Sequence, residues 1–264
     1  MSSGDAEVED RLLPHERHLH ILERARTHSR VEVTALAREL EVTSETIRRD
    51  LTVLEQQGRL RRVHGGAVHI ERLGYEPSVT ARLERQTAEK KRIAKAAVGL
   101  LPEGGSILLD SGTTTMELAR RLPADFEASV VTNSLTIAAL LSERPRIELL
   151  VLGGRLRDVT KAMVGPWSTS SLERLRIDVA FLGTNGVTPE AGFTTPDLVE
   201  AEVKRAMVAA AARVVCLADH TKIGQTQLCR FADITEVDVL VTDGGLDEAL
   251  ADELAAAGPE VIRA

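Results

Sequence analysis

Aromatic residues are nearly missing from this 264-residue chain, which holds one Trp, one Tyr and four Phe, 2% of the total. Proteins that grip single-stranded nucleic acid stack bases on aromatic rings, so the composition argues against that class. Cysteine is as scarce. Cys216 and Cys229 are the only two, with no clustered histidine, which points to reduced, cytosolic thiols and not to a disulfide framework. No uninterrupted apolar run approaches the length that crosses a bilayer, so no membrane partner is expected. Met1 to Asp10 are polar and acidic and read as neither signal nor transit peptide. Two nucleotide fingerprints are absent as well. No G-x-G-x-x-G opens a helix after a strand, and there is no G-x-x-x-x-G-K-[ST]. No cofactor, metal site or catalytic residue is expected.

A hydrophobic fraction of 43% and a charged fraction of 28% are enough for a packed, soluble body. The net charge of −7 suits a nucleic-acid binder poorly, but it is unevenly spread. Between Arg11 and Arg72 there are twelve arginines against nine carboxylates, a local excess of +3. A small basic module on an acidic body fits site-specific DNA binding better than general coating of nucleic acid.

Periodicity predicts a helix over 16–27, with Leu19, Ile21, Leu22 and Ala25 on its apolar face. Val31-Glu32-Val33 reads as a short extended piece. Thr34 then caps a second helix to Leu40, burying Leu36, Ala37 and Leu40. After a turn at Glu41-Val42, Thr43 or Ser44 caps a third helix to about Gln57, stopped by Gly58. In it, Ile47, Leu51 and Leu54 face inward, leaving Ser44, Glu45, Thr46, Arg48 and Arg49 outward. Segments 59–63 and 67–70, around the Gly65-Gly66 pair, read as a hairpin. Three helices and a hairpin make a winged helix-turn-helix. Short hydroxyls at a helix start fit a major groove, and arginines beyond them reach base edges or phosphates. The candidate DNA-binding set is Ser44, Thr46, Arg48, Arg49, Arg59, Arg61, Arg62, His64 and Gly65.

The expected organisation is a DNA-binding domain at 11–71, a linker at 72–87 and a second domain at 88–264. Apolar runs at 106–109, 129–131, 148–152, 178–182, 214–217, 237–241 and 261–262 read as buried strands. Most are separated by helical patterns, the first of them at 88–101. This alternation implies an α/β fold with a mostly parallel sheet covered on both faces.

Ligands of such sheets sit beyond the carboxyl ends of the strands. There the sequence has Asp110, Ser111, Gly112, Thr113, Thr114 and Thr115 after the first strand, and Thr132 and Asn133 after the second. Gly153 and Gly154 follow the third strand, the loop with Asn185 the fourth, and Asp219 and Lys222 the fifth. Lys204 is a further candidate anion ligand. Backbone N–H groups and hydroxyls at the first loop suit a phosphate, although a plain capped turn would look alike. His64, His220 and Trp167 read as a wing-turn residue, a loop residue and part of an apolar helix face.

The run Thr46-Ile47-Arg48-Arg49-Asp50-Leu51, with Leu54, Gly58 and Arg62-Val63-His64-Gly65-Gly66-Ala67, resembles the DeoR family of bacterial transcriptional regulators. Asp110-Ser111-Gly112-Thr113-Thr114, Thr132-Asn133-Ser134, Gly153-Gly154, Glu202-Val203-Lys204 and Asp219-His220-Thr221-Lys222 resemble its effector domain in order. The resemblance implies a second domain like ribose-5-phosphate isomerase and glucosamine-6-phosphate deaminase that senses a phosphorylated sugar. Enzymes of that kind carry acidic residues in the loop after the middle strand, where this chain has Gly183-Thr184-Asn185-Gly186. Without a titratable base there, a sensor is expected and an enzyme is not. The expected protein is a cytoplasmic homo-oligomeric repressor of a sugar-catabolism operon, binding double-stranded operator DNA and relieved by a sugar phosphate. The alternative is a sugar-phosphate isomerase or deaminase with a fused DNA-binding module, using Asp219 or Glu202 as base.

Overall fold

The computed structural model describes residues 12–28, 30–56, 59–63, 65–69, 76 and 78–264. Gln57, Gly58, His64 and Ile70 lie outside the described residues, as does most of 71–77. The chain forms two compact units, Met1–Arg72 and Leu73–Ala264.

In the first unit, α1 (Pro14–His28) precedes β1 (Arg30–Glu32), α2 (Val33–Glu39) and α3 (Ser44–Gln56). The wing strands β2 (Leu60–Val63) and β3 (Gly66–His69) follow. Ile21, Leu22 and Ala25 of α1 meet Leu36, Ile47, Leu51 and Leu54 in one core. Leu19 departs from expectation: it is 60% exposed, because it lies about a quarter-turn off the stripe made by Ile21, Leu22 and Ala25. Ala37 and Leu40 are only partly buried. The expected Thr34 cap is also replaced. α2 starts two residues earlier than that cap implies, with Glu32 at the N-cap position and no side-chain cap. The extended piece before it is a strand proper, since β1 pairs antiparallel with β3 and makes the wing three-stranded. That pairing needs Gly66, where a Cβ would overlap the Val31 carbonyl oxygen. Thr43 caps α3, its Oγ1 accepting from the Thr46 N–H at 3.1 Å.

One polar residue of α3 points inward. Asp50 is buried, and its carboxylate accepts from Arg17 Nε at 2.6 Å and Arg17 Nη2 at 3.1 Å. His18 Nε2 lies 3.0 Å away. This pair ties α1 to α3.

The second unit opens with α4 (Val79–Leu83) and α5 (Thr87–Val98). The expected linker at 72–87 therefore contains a helix, docked by the Val79 N–H on the Val159 carbonyl at 2.8 Å. Then come β4 (Ser106–Leu109), α6 (Thr113–Ala119), β5 (Ala128–Thr132), α7 (Leu135–Leu141) and β6 (Ile147–Val151). A hairpin, β7 (Arg155–Arg157) and β8 (Ala162–Val164), leads to α8 (Pro166–Leu172) and β9 (Ile177–Gly183). After β9 come β10 (Gly186–Thr188), β11 (Gly192–Thr195), α9 (Leu198–Ala210), β12 (Ala211–Leu217) and β13 (Cys229–Ala232). The chain ends with β14 (Val239–Thr242), α10 (Glu248–Ala257) and β15 (Glu260–Arg263).

The seven expected strands form one sheet, ordered β15-β14-β12-β9-β4-β5-β6, with every neighbour parallel. Alternate residues feed two cores. Ile107, Leu109, Val179 and Phe181 pack with α5, α6 and α7 on one face. Leu108, Ala180, Leu182 and Cys216 pack with α8, α9 and α10 on the other. β4 and β9 are sheet neighbours, yet the helix after β4 covers one face and the helix after β9 the other. Their carboxyl ends therefore flank the topological switch point, where a crevice opens. The hairpin β7-β8 and the antiparallel sheet β10-β11-β13 are additions that the expected alternation lacks. No helix among the described residues is long and apolar enough to cross a membrane.

Removing Asp50 strands a buried guanidinium. Asp50→Ala is expected to destabilise the first unit by about 3–5 kcal/mol, read as an earlier denaturant midpoint for that unit in the full chain. A midpoint unchanged within error would show that the pair contributes nothing.

Candidate functional site

On the first unit, α3 presents exposed Arg48 and Arg49, with Ser44 and Thr46 half-buried at its start. The two arginines part company. Arg48 lines a cleft of about 260 Å3 together with Val33, Thr34, Arg62, Gly65 and Gly66, and Arg49 does not. Arg48 also meets Glu45 at 3.4 Å, a solvent-exposed contact. Thr52 bridges helix and wing, donating to the Arg48 carbonyl at 2.8 Å and accepting from Arg62 Nη1 at 3.0 Å. The wing turn is anchored by the Val33 N–H on the Gly65 carbonyl at 3.0 Å. Gly65 has a φ of 78°, the left-handed region that favours glycine. Arg59 is exposed ahead of β2, and Arg61 lies within β2. His64 falls outside the described residues.

On the second unit, the switch point is built around a buried ion pair. Asp110 follows β4 and is 0% exposed, and Lys204 of α9 is 4% exposed. Lys204 Nζ donates to Asp110 Oδ2 and, at 2.9 Å, to the carbonyl of Gly183, the last residue of β9. The Gly183 N–H donates to the same Oδ2 at 3.1 Å. Lys204 also sits 5.1 Å from the centre of the Phe231 ring. Burial alone would lower its pKa, but the carboxylates of Asp110 and Glu200 raise it above the usual lysine value. Burial pushes the neighbouring Cys216 thiol up to about 12, so it stays neutral.

Next to this pair, Asn133 Oδ1 accepts from the Ser111 N–H at 3.0 Å, fixing the first loop against the second. Thr132 Oγ1 donates to the Leu109 carbonyl at 2.7 Å. Thr115 turns its hydroxyl onto the Gly112 carbonyl at 3.0 Å. By contrast, the Thr113 and Thr114 hydroxyls and the N–H groups of Gly112 to Thr115 have no partner among the described residues. Those donors make a cradle at the carboxyl edge of the sheet.

The other expected residues serve local structure. Gly154 has a φ of 146°, and a Cβ there would come within 2.7 Å of the Val164 carbonyl. The Gly153 carbonyl accepts from Ser168 Oγ at 2.6 Å. Asn185 Oδ1 accepts from Thr195 Oγ1 at 3.1 Å. Asp219 caps the single turn His220–Lys222, accepting from the Thr221 N–H at 3.1 Å. Its loop neighbour His220 is paired with Asp243 Oδ2 at 2.8 Å. The Lys222 N–H donates to the Asp219 carbonyl at 2.9 Å, and its side chain makes no hydrogen bond or ion pair among the described residues. Trp167, expected on an apolar helix face, is 77% exposed.

Glu200 and Arg157 escaped sequence reasoning, while Lys90 belongs to the 82–95 segment that the sequence offers as a coupling element between the two domains. Glu200 is 2% exposed, and its Oε1 accepts from Ser111 Oγ at 3.5 Å. Arg157 meets Glu200 Oε2 at 3.2 Å. Lys90 of α5 is buried, and burial lowers its pKa to about 8 against the raising effect of Asp219. Glu200 had a signal, since it lies one helical turn before Lys204 on the same face, whereas Glu202, named as a candidate base, is exposed. Burial, then the like charge of Glu76, raises the Glu200 carboxyl to about 7, outweighing Lys204, with Asp110 and Arg157 acting in smaller, opposite senses.

A family model described as the DeoR C terminal sensor domain matches residues 85–244, and one described as the DeoR-like helix-turn-helix domain matches 17–72. Among curated proteins, the HTH-type transcriptional regulator GlpR of Haloferax volcanii is 41% identical over 251 residues, 95% of this chain and 98% of that protein. The HTH-type transcriptional repressor GlcR of Bacillus subtilis is 33% identical over 247 residues, 94% of this chain and 95% of that protein. Among solved structures, ribose 5-phosphate isomerase A of Methanocaldococcus jannaschii has a TM-score of 0.39 at 19% identity. It covers 52% of this chain and 55% of its own, a likeness too slight to bear on function.

Because the Glu200 pKa is raised on folding, its stabilising effect is present below about pH 4.5 and is lost as pH rises through about 7. Glu200→Gln removes this titration. The melting temperature of the variant relative to the parent is expected to climb between pH 5 and pH 8. A flat difference across that range would mean that the Glu200 carboxyl titrates normally.

Proposed function

The chain belongs to the DeoR family of transcriptional regulators, and on that premise we propose that it is a cytoplasmic repressor released from its operator by a phosphorylated sugar. The ligand half of the reading is carried by one observation. The cradle at Gly112–Thr115 offers four N–H groups and two hydroxyls without a partner among the described residues, beside a buried lysine-carboxylate pair. Convergent donors of that kind suit a phosphate, and the adjacent Asp110 and Glu200 carboxyls suit sugar hydroxyls.

The DNA half assigns separate tasks to the two arginines of α3. Arg49 is exposed and unpaired among the described residues, as a base-reading side chain should be before binding. Arg48 and Arg62 share a cleft closed by the Gly65-Gly66 turn, which suits a backbone phosphate. Ser44, Thr46, Arg59, Arg61, His64 and Gly65 complete the proposed contact surface. A homo-oligomer reading two half-sites is part of this proposal. So is a domain division with the DNA-binding part at 11–71 and the sensing part from 88 onward.

One observation favours turnover instead. Glu200 is a buried carboxyl with a pKa near that of a working general base. Against it, both its oxygens are engaged, by Ser111 and Arg157. Incubating the pure protein with hexose and pentose phosphates decides between the readings. Isomerisation or deamination that disappears in Glu200→Gln would make the protein an enzyme.

The repressor reading is tested on an operator selected from random duplexes. Arg49→Ala should cost about 1–3 kcal/mol and relax preference at one base position. Arg62→Ala should weaken all duplexes alike and flatten the salt dependence by about one unit of slope. Thr113→Ala with Thr114→Ala should leave operator affinity intact and abolish its response to sugar phosphates. If no sugar phosphate changes the operator affinity of the parent protein, the ligand half of the reading fails.

A further inference from the structure

The segment entering the second unit carries Glu76, whose side chain is 3% exposed and meets two guanidiniums. Arg82 Nη1 lies 3.3 Å from its Oε1, and Arg157 Nη1 lies 2.5 Å from its Oε2. Arg157 is shared more widely. Its Nε is 3.2 Å from Asp197 Oδ2 at the start of α9, and its Nη1 is 3.2 Å from Glu200 Oε2. Glu200 in turn accepts from the Ser111 hydroxyl at the head of the cradle. A single guanidinium thus joins the entering segment, α9 and the loop proposed to hold phosphate. Arg82 has capacity to spare, because its Nε and Nη2 are buried without a hydrogen-bond partner among the described residues.

We infer that Glu76 is an internal anion seated between Arg82 and Arg157, and that a phosphate monoester bound at the Ser111 loop competes with it for Arg157 and loosens the segment it holds. The inference rests on the ligand reading above and supplies its regulation. The cluster contains three carboxylates, Glu76, Asp197 and Glu200, around two guanidiniums. The charge on Glu200 is already disfavoured by burial and by Glu76. A phosphate brings a further charge of about −1.5 to −2 to within one side chain of Arg157. Guanidinium pairs phosphate through two parallel bonds, a better match than the single contact it makes with Glu76. When Arg157 turns to the phosphate, Glu76 keeps only Arg82, and the segment loses its tie to the sheet side of the unit. α4 is then held by Val79 on Val159 and by Lys90, which donates to the Arg82 and Arg85 carbonyls.

The test uses the full-length protein and inorganic phosphate. Calorimetry is run on the parent, Glu76→Gln, Arg157→Gln and the double variant, each first checked by thermal melting. If Glu76 competes for Arg157, Glu76→Gln binds phosphate tighter by about five-fold or more. That gain vanishes in the Arg157→Gln background. Amide exchange over 78–83 should quicken when phosphate is added to the parent and should already be quick in Glu76→Gln. Equal or weaker phosphate binding by Glu76→Gln, or a gain that survives without Arg157, overturns the inference while the ligand reading stands. A parent protein that binds no phosphate removes the ligand reading, and the inference falls with it. Should Glu76→Gln fail to fold, Glu76→Asp withdraws the carboxylate by one methylene and is expected to show the same sign at smaller size.

Discussion

The second unit depends on the bond between Asp110 and Lys204. Taking both charges out of water is costly, and such a pair persists only where further hydrogen bonds satisfy it. Here the Gly183 peptide does so from both sides, donating to Asp110 and accepting from Lys204. The result links the ends of β4 and β9 to α9 at the point where the chain changes faces. The polar loops beyond those strands are therefore fixed relative to one another before any ligand arrives. One oxygen remains unmatched, because Asp110 Oδ1 is buried without a hydrogen-bond partner among the described residues.

The first unit repeats the device at smaller scale. Asp50 sits in α3, directly after the arginines that face outward, but its own side chain turns in to Arg17 and His18. Asp50 sets the angle at which α3 is held, while Arg49 and Arg48 meet whatever lies outside. In both units a buried carboxylate positions the elements, and exposed or unpartnered neighbours remain available for contact.

Much of this architecture was legible in the sequence. The seven strands of the main sheet are covered on both faces, so each reads as an unbroken apolar run. The strands of β7-β8 and β10-β11-β13 were not seen, because each is three or four residues long and most carry Gly, Thr or Arg. The cradle residues were visible because glycine and hydroxyls cluster in consecutive positions. Glu200, Arg157 and Glu76 were not, because they are far apart in the chain and each resembles an ordinary surface charge. Nothing local marks an arginine in a short hairpin strand as the partner of three carboxylates. Leu19 and Trp167 erred in the opposite direction, since apolar character alone does not say which side of a helix the core occupies.

The strand order has a consequence for how the molecule is made. Every pairing in the first unit joins residues within the first 72, so that unit can close as soon as it leaves the ribosome. The central pairing of the second unit joins β4 to β9, across a separation of about seventy residues, and β12, β14 and β15 must still be added. Long-range parallel pairing is slow, because chain must be ordered before contacts repay it. During synthesis, the helix-turn-helix unit is therefore complete while the sensor unit is still unfinished.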